Sequence, residues 1–173
     1  MYQKKENEDG VMVVSFSYEV NDIFNKVAMK SAYNAKNIRN KDGQSLVDDF
    51  AITEDEKDIF QQCLRSVLPE IYSIVLKITS GVSDAFNFDV TGATVSLSVM
   101  DNEAYNENIL SLVEQSISEC LVEGTLMEWY RSTIHADLLN MYSKSFGMSL
   151  EKLFSRLFQL RKKKVYSMLG DIY

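Results

Sequence analysis

The chain has 173 residues, a formal net charge of −7 and 46% hydrophobic residues. That length and apolar content suit one domain with a real core and exclude general disorder. The acidic balance repels nucleic-acid phosphate and argues against sequence-reading DNA binding, although an acidic wall suits a channel through which DNA slides.

In chain order, residues 1–10 are polar and read as a solvated leader without a signal-peptide core. Val11 to Ser17 is rich in Val and Phe and predicts a short strand or an extended arm. A first helix follows over about Tyr18 to Ile38, with Ser17 as its cap. Val20, Ile23, Phe24, Val27 and Ala28 mark its buried face, continued by Ser31 and Ala35. Asn40-Lys41-Asp42-Gly43 is turn chemistry, with Gly43 free to take left-handed geometry. Its acidic spacing does not make a calcium loop. Gln44 to Ile52 reads as a connector anchored by Leu46, Val47, Phe50 and Ile52.

Thr53-Glu54-Asp55-Glu56 predicts a capping box, in which Thr53 and Glu56 satisfy each other's backbone N–H groups. The helix it opens runs to about Thr79, and Ser80-Gly81 ends it. Phe60, Cys63, Leu64, Val67, Ile71, Ile74, Val75 and Ile78 hold one stripe. Pro69 lies inside, removes one backbone bond and predicts a kink near Arg65 to Pro69. Beyond it, Phe86, Phe88 and Val90 alternate with polar residues, as do Val95, Leu97 and Val99. A period of two means strands, joined here by a loop at Thr91-Gly92-Ala93. An isolated hairpin is marginal in water, so it must lie on the helices or join a sheet in a neighbouring chain.

Asn106 to Leu160 carries the longest helical periodicity in the chain. It breaks near Tyr130 to Ile134 into two helices, each roughly 35–45 Å long at about 1.5 Å per residue. Ser132 is the expected cap of the second. Gly147 weakens that helix by roughly 1 kcal/mol relative to alanine and marks a bend or a close approach. The whole reads as mainly α: one domain over residues 1–173, a bundle of four to five helices with its core at 18–160. A short β-hairpin insert at about 86–99 and extended terminal arms complete it.

Chemistry is sparse. His135 is the only histidine, and Asp137, two residues on, points elsewhere on a helix, so a surface or interhelical hydrogen-bonding role is expected. Cys63 and Cys120 fall on apolar stripes and read as reduced core thiols. Glu114, Glu119, Glu123 and Glu128 lack the Glu-x-x-His pairs of a carboxylate metal bundle and read as a solvated or channel-facing acidic stripe. Trp129 and Tyr130 read as core or interface anchors. No catalytic site, cofactor, metal or membrane span is expected.

The end of the chain has two readings. Arg161, Lys162, Lys163 and Lys164 are either solvated cations at a helix C-terminus or the start of a docking tail. In the second reading Val165, Tyr166, Met168, Leu169, Ile172 and Tyr173 bury against a partner or add to its sheet.

The order of elements resembles the small head–tail connector (adaptor or neck) proteins of tailed bacteriophages and prophages. The resembling features are Ala28-Met29-Lys30-Ser31-Ala32-Tyr33 on the first helix and Ile52-Thr53-Glu54-Asp55-Glu56-Lys57 opening the second. Met127-Glu128-Trp129-Tyr130 and the stretch from Leu153 to Lys164 follow. The resemblance covers about residues 15–165 as a pattern. It implies a virion protein, assembled in the host cytoplasm, that forms a homo-oligomeric ring, commonly of about twelve copies. Such a ring sits between the portal protein and the next neck or tail protein, with DNA passing non-specifically through its centre. The family brings no catalytic residues. The apolar end after Lys164 departs from its pattern. The competing expectation is a host-encoded helical module that binds one partner through its tail.

Overall fold

The computed structural model describes residues 2–6, 12–36, 38–39, 43–44, 50–78, 88–91, 94–101 and 107–160. Four strands and four long helices appear in this order: β1 (Tyr2–Glu6), β2 (Met12–Glu19), α1 (Val20–Ala35), α2 (Lys57–Ile78), β3 (Phe88–Thr91), β4 (Thr94–Asp101), α3 (Leu110–Ser132) and α4 (Ala136–Leu160). Short 3-10 turns at Glu54–Glu56 and Glu107–Ile109 lead into α2 and α3. The mainly helical class with a hairpin is therefore the architecture found.

The sheet is larger than expected. Its strand order is β1-β2-β4-β3, and every pairing is antiparallel. The hairpin β3–β4 lies on this chain's own β2, with Val14 opposite Val99 and Phe16 opposite Leu97. Residues 2–6, expected in a frayed leader, form the edge strand β1, with Tyr2 opposite Phe16 and the two rings 6.2 Å apart. Exposed Gln3 and Lys4 on β1 fit the usual composition of an edge, where polar side chains discourage further pairing. β2 alternates as a half-buried strand should: Val14 and Phe16 are buried, Ser17 and Glu19 exposed. Tyr18 and Glu19 belong to β2, so α1 starts two residues later than expected. Glu19, and not Ser17, stands at its cap position, without a side-chain cap bond.

α3 is the centre. It packs against α1, α2 and α4, and thirteen of its residues are buried. Side chains pointing to every side are covered, which is the pattern of an enclosed helix rather than of a striped one. Small residues make room for this. An added Cβ on Gly124 would lie 2.4 Å from Val67 Cγ1 and 2.9 Å from Phe146 Cε2, so α2 and α4 close on α3 there. Buried Ser116 accepts a 2.6 Å bond from Arg156 Nη1, and buried Thr125 donates to the Leu121 carbonyl. Gly147, expected as a bend or close approach, has nothing within 4 Å of the position a Cβ would take.

The connections are built from specific hydrogen bonds. The capping box is present: Glu56 Oε2 accepts from the Thr53 backbone N–H at 2.8 Å and from its hydroxyl. α2 then runs through Pro69 as one helix. Gly43 sits at φ 78°, the left-handed position expected of it. The 50–52 segment is clamped from both sides. Ile52 N–H donates to buried Ser31 Oγ on α1, and Trp129 Nε1 on α3 donates to the Phe50 carbonyl. Ser31 in turn donates to the Ala28 carbonyl, so both functions of its hydroxyl are used.

Candidate functional site

The residues singled out for chemistry are spent on structure. Glu119 and Glu123 lie four apart on α3 and face its neighbours. Glu123 pairs with Lys30 of α1 and accepts from Ser145 of α4 at 2.9 Å. Glu119 meets Lys152 of α4 at 2.6 Å and accepts from Gln115 at 2.9 Å. Glu128 pairs with Arg131 one turn on. These three carboxylates thus link helices or neighbouring turns, and the solvated or channel-facing acidic stripe is corrected to an ion-pair seam. Among the described residues, no group of three or more His, Cys, Asp or Glu could hold a metal ion.

The thiols and the histidine are equally committed. Burial pushes Cys63 up to about 11 and Cys120 up to about 12, well outside the range of a nucleophilic thiolate near neutrality. His135 Nδ1 accepts the Leu138 N–H at 3.3 Å, so His135 caps α4. Ser132, the expected cap, instead donates to the Trp129 carbonyl of its own helix. The His135 ring stands edge-on to Phe50 at 4.8 Å and lies 6.4 Å from Tyr130, which stacks on Tyr142. Trp129 and Tyr130 are both buried in this knot, as expected of core anchors. The Tyr130 hydroxyl is buried without a hydrogen-bond partner, while Asn34 donates to its neighbour Tyr142. Burial raises both phenols.

One open groove of about 800 Å³ lies between β2, α1 and α3. Tyr18, Asp22, Lys26, Glu114, Gln115 and Ser118 are among its walls. Tyr18 bridges its floor by donating to the Glu114 carbonyl at 2.8 Å, and Lys26 donates to Ser118 across it. Burial, then the charge of Glu114, raises the Tyr18 phenol and keeps it neutral. The groove is lined by both charge signs, Asp22 and Glu114 with Lys26.

The turn between α3 and α4 is different. His135 N–H reaches back to the Tyr130 carbonyl at 3.1 Å and Ile134 N–H to the Arg131 carbonyl at 3.4 Å. That is a Schellman ending, whose central position usually holds glycine. Here it holds Ile134, at φ 56° and 89% exposed. A β-branched residue in left-handed geometry costs on the order of 1–2 kcal/mol. Further along the outer side of α4, Met141 is 48% and Met148 61% exposed, two turns apart. Phe154 and Phe158 add a second exposed pair. α4 therefore carries unmatched apolar surface on the side away from α3. Helical periodicity puts Met141, but not Met148, on the apolar stripe of this helix, and the structure leaves both exposed.

Arg161, Lys162, Lys163, Lys164, Val165, Tyr166, Met168, Leu169, Ile172 and Tyr173, expected as the docking tail, lie outside the described residues. Among the described residues, no helix is long and apolar enough to cross a membrane. No family model, no characterised protein and no solved structure matches the chain.

Proposed function

We propose that this chain is a structural assembly protein, a head–tail connector that joins a portal to the next neck or tail protein as a homo-oligomeric ring. The observation that carries the reading is the contrast between α3 and α4. α3 is packed against three helices with thirteen of its residues buried, which makes a stiff pillar. α4 is tied to that pillar by the Lys152–Glu119 ion pair, yet Ile134 in the turn before it and its own Met141, Met148, Phe154 and Phe158 stay exposed. Exposed apolar residues in such number suit a surface that is covered on assembly. The element order and the net charge of −7 agree with a subunit beside a DNA channel.

The reading assigns no catalysis. Its support is that both thiols are buried and raised, and that the single histidine caps a helix. The tail from Arg161 to Tyr173 is the proposed hook. The test is co-sedimentation with a portal protein of the genome that encodes this chain. The full chain is expected to pellet with portal rings in a fixed ratio, and a chain lacking residues 165–173 is expected to stay in solution. A full chain that never pellets with portal, but captures a partner encoded elsewhere, supports the helical interaction module instead.

A further inference from the structure

We infer that α3 and α4 open into one continuous helix and exchange α4 with a second copy of this chain, giving a domain-swapped dimer. The inference is independent of the connector reading, because it concerns the free protein in solution.

The turn that opens is Thr133-Ile134-His135, the three residues between α3 and α4. It holds neither glycine nor proline, the residues that ordinarily stop a helix. The reversal instead puts Ile134 at φ 56° with its side chain 89% exposed. The monomer therefore carries two costs at one residue, a β-branched side chain in left-handed geometry and an apolar side chain in water. A continuous helix removes both. At helical φ, Ile134 stands four residues after Tyr130 and four before Leu138. Tyr130 is buried and Leu138 half-buried, so Ile134 joins a face that is already covered. Opening gives up the His135 cap on the Leu138 N–H. In return, the N–H groups that start α4 find the carbonyls that end α3, one turn back on the same helix. Short hinges under strain invite this kind of exchange.

The seam between α3 and α4 survives the exchange. Its contacts are nested about the turn. Tyr130 stacks on Tyr142, Gly124 lies against Phe146, Glu119 meets Lys152, and Ser116 accepts from Arg156. Contacts nested in this way describe two antiparallel helices in one register. When two opened copies are laid antiparallel with their hinges crossing, each of these contacts re-forms between copies in that same register. The two-fold axis then passes beside Ile134 and His135, as a closed dimer requires. The swapped dimer keeps the contacts that hold α4 in the monomer and adds the relief of two strained turns. Mass action then sets the concentration at which it forms.

Refolding from urea over a concentration series, followed by sedimentation, tests this. The wild type is expected to give a growing dimer fraction that dissociates slowly on dilution, because exchange requires the seam to open. An equal mixture of isotope-labelled and unlabelled chain, refolded together, shows which copy supplies α4. A zero-length carbodiimide couples Lys152 to Glu119, the ion pair across the seam. In the dimer fraction these links are expected to join labelled to unlabelled chain, and in the monomer fraction to stay within one label. Ile134→Gly relaxes the turn and disfavours a helix through it. It is expected to weaken the dimer about tenfold per hinge, roughly a hundredfold for the two. A wild type that is monomeric at every concentration overturns the inference. So does a dimer whose Lys152–Glu119 links all stay within one label, or an Ile134→Gly variant that dimerises as well as the wild type.

Discussion

Gly124 on α3 lies so close to Val67 on α2 that a single methyl group would come within 2.4 Å of Val67 Cγ1. Phe146 of α4 closes the same spot from the other side. Three helices therefore meet at a residue with no side chain. Gly124→Ala should raise helix propensity by roughly 1 kcal/mol and lose more than that to overpacking, which typically costs about 1–3 kcal/mol. Urea denaturation should show net destabilisation, partly relieved by Val67→Ala in the same chain. Gly147→Ala is the control. Its Cβ meets nothing, so the propensity gain of roughly 1 kcal/mol should appear in full.

Ile134→Gly should stabilise the monomer. It removes a β-branched residue from φ 56°, worth on the order of 1–2 kcal/mol, offset in part by unfolded-state entropy of roughly 0.5–1 kcal/mol. The urea midpoint should rise. An isoleucine kept only for packing within the chain would give the opposite sign of stability change.

The 50–52 clamp predicts a coupled pair. Ser31→Ala leaves the buried Ile52 N–H without its acceptor, at a cost of about 1–3 kcal/mol. Trp129→Phe strands the Phe50 carbonyl and loses indole packing. Both bonds hold the same three residues, so the double variant should cost less than the sum of the two. Additive costs from denaturant midpoints would mean that the segment is held elsewhere.

The capping box gives a pH dependence. Bonds from the Thr53 hydroxyl and then the Thr53 backbone N–H hold the Glu56 carboxyl below its ordinary 4.5. A carboxyl lowered in the folded state adds stability that is present above its unfolded value and lost as pH falls through the folded one. Stability should therefore drop below about pH 4.5. Thr53→Ala should cost roughly 1 kcal/mol at neutral pH and flatten that part of the profile. An unchanged acid limb in Thr53→Ala would remove the box from the account.

Local grammar was readable in this chain because its causes are local. The Thr53–Glu56 box, the Gly43 turn and the alternation around Val95 each depend on a few neighbouring residues. What escaped depends on partners distant in sequence. Tyr2 to Glu6 is too polar to announce a strand, and it becomes one because β2 offers an edge. Glu119 and Glu123 look like a solvated stripe until Lys152 and Lys30 are brought to them. Periodicity offered Gly147 as the packing glycine, and only the crossing of α2, α3 and α4 identifies Gly124. Ser132 obeys the capping rules in sequence, but the cap falls three residues later, on His135.

Negative-stain images of the full chain added to portal rings test the connector reading most directly. The account predicts an extra layer of density in register with the portal subunits, with a central opening wide enough for duplex DNA. Bare portal rings beside free protein, at concentrations where neighbouring neck proteins do attach, would contradict it.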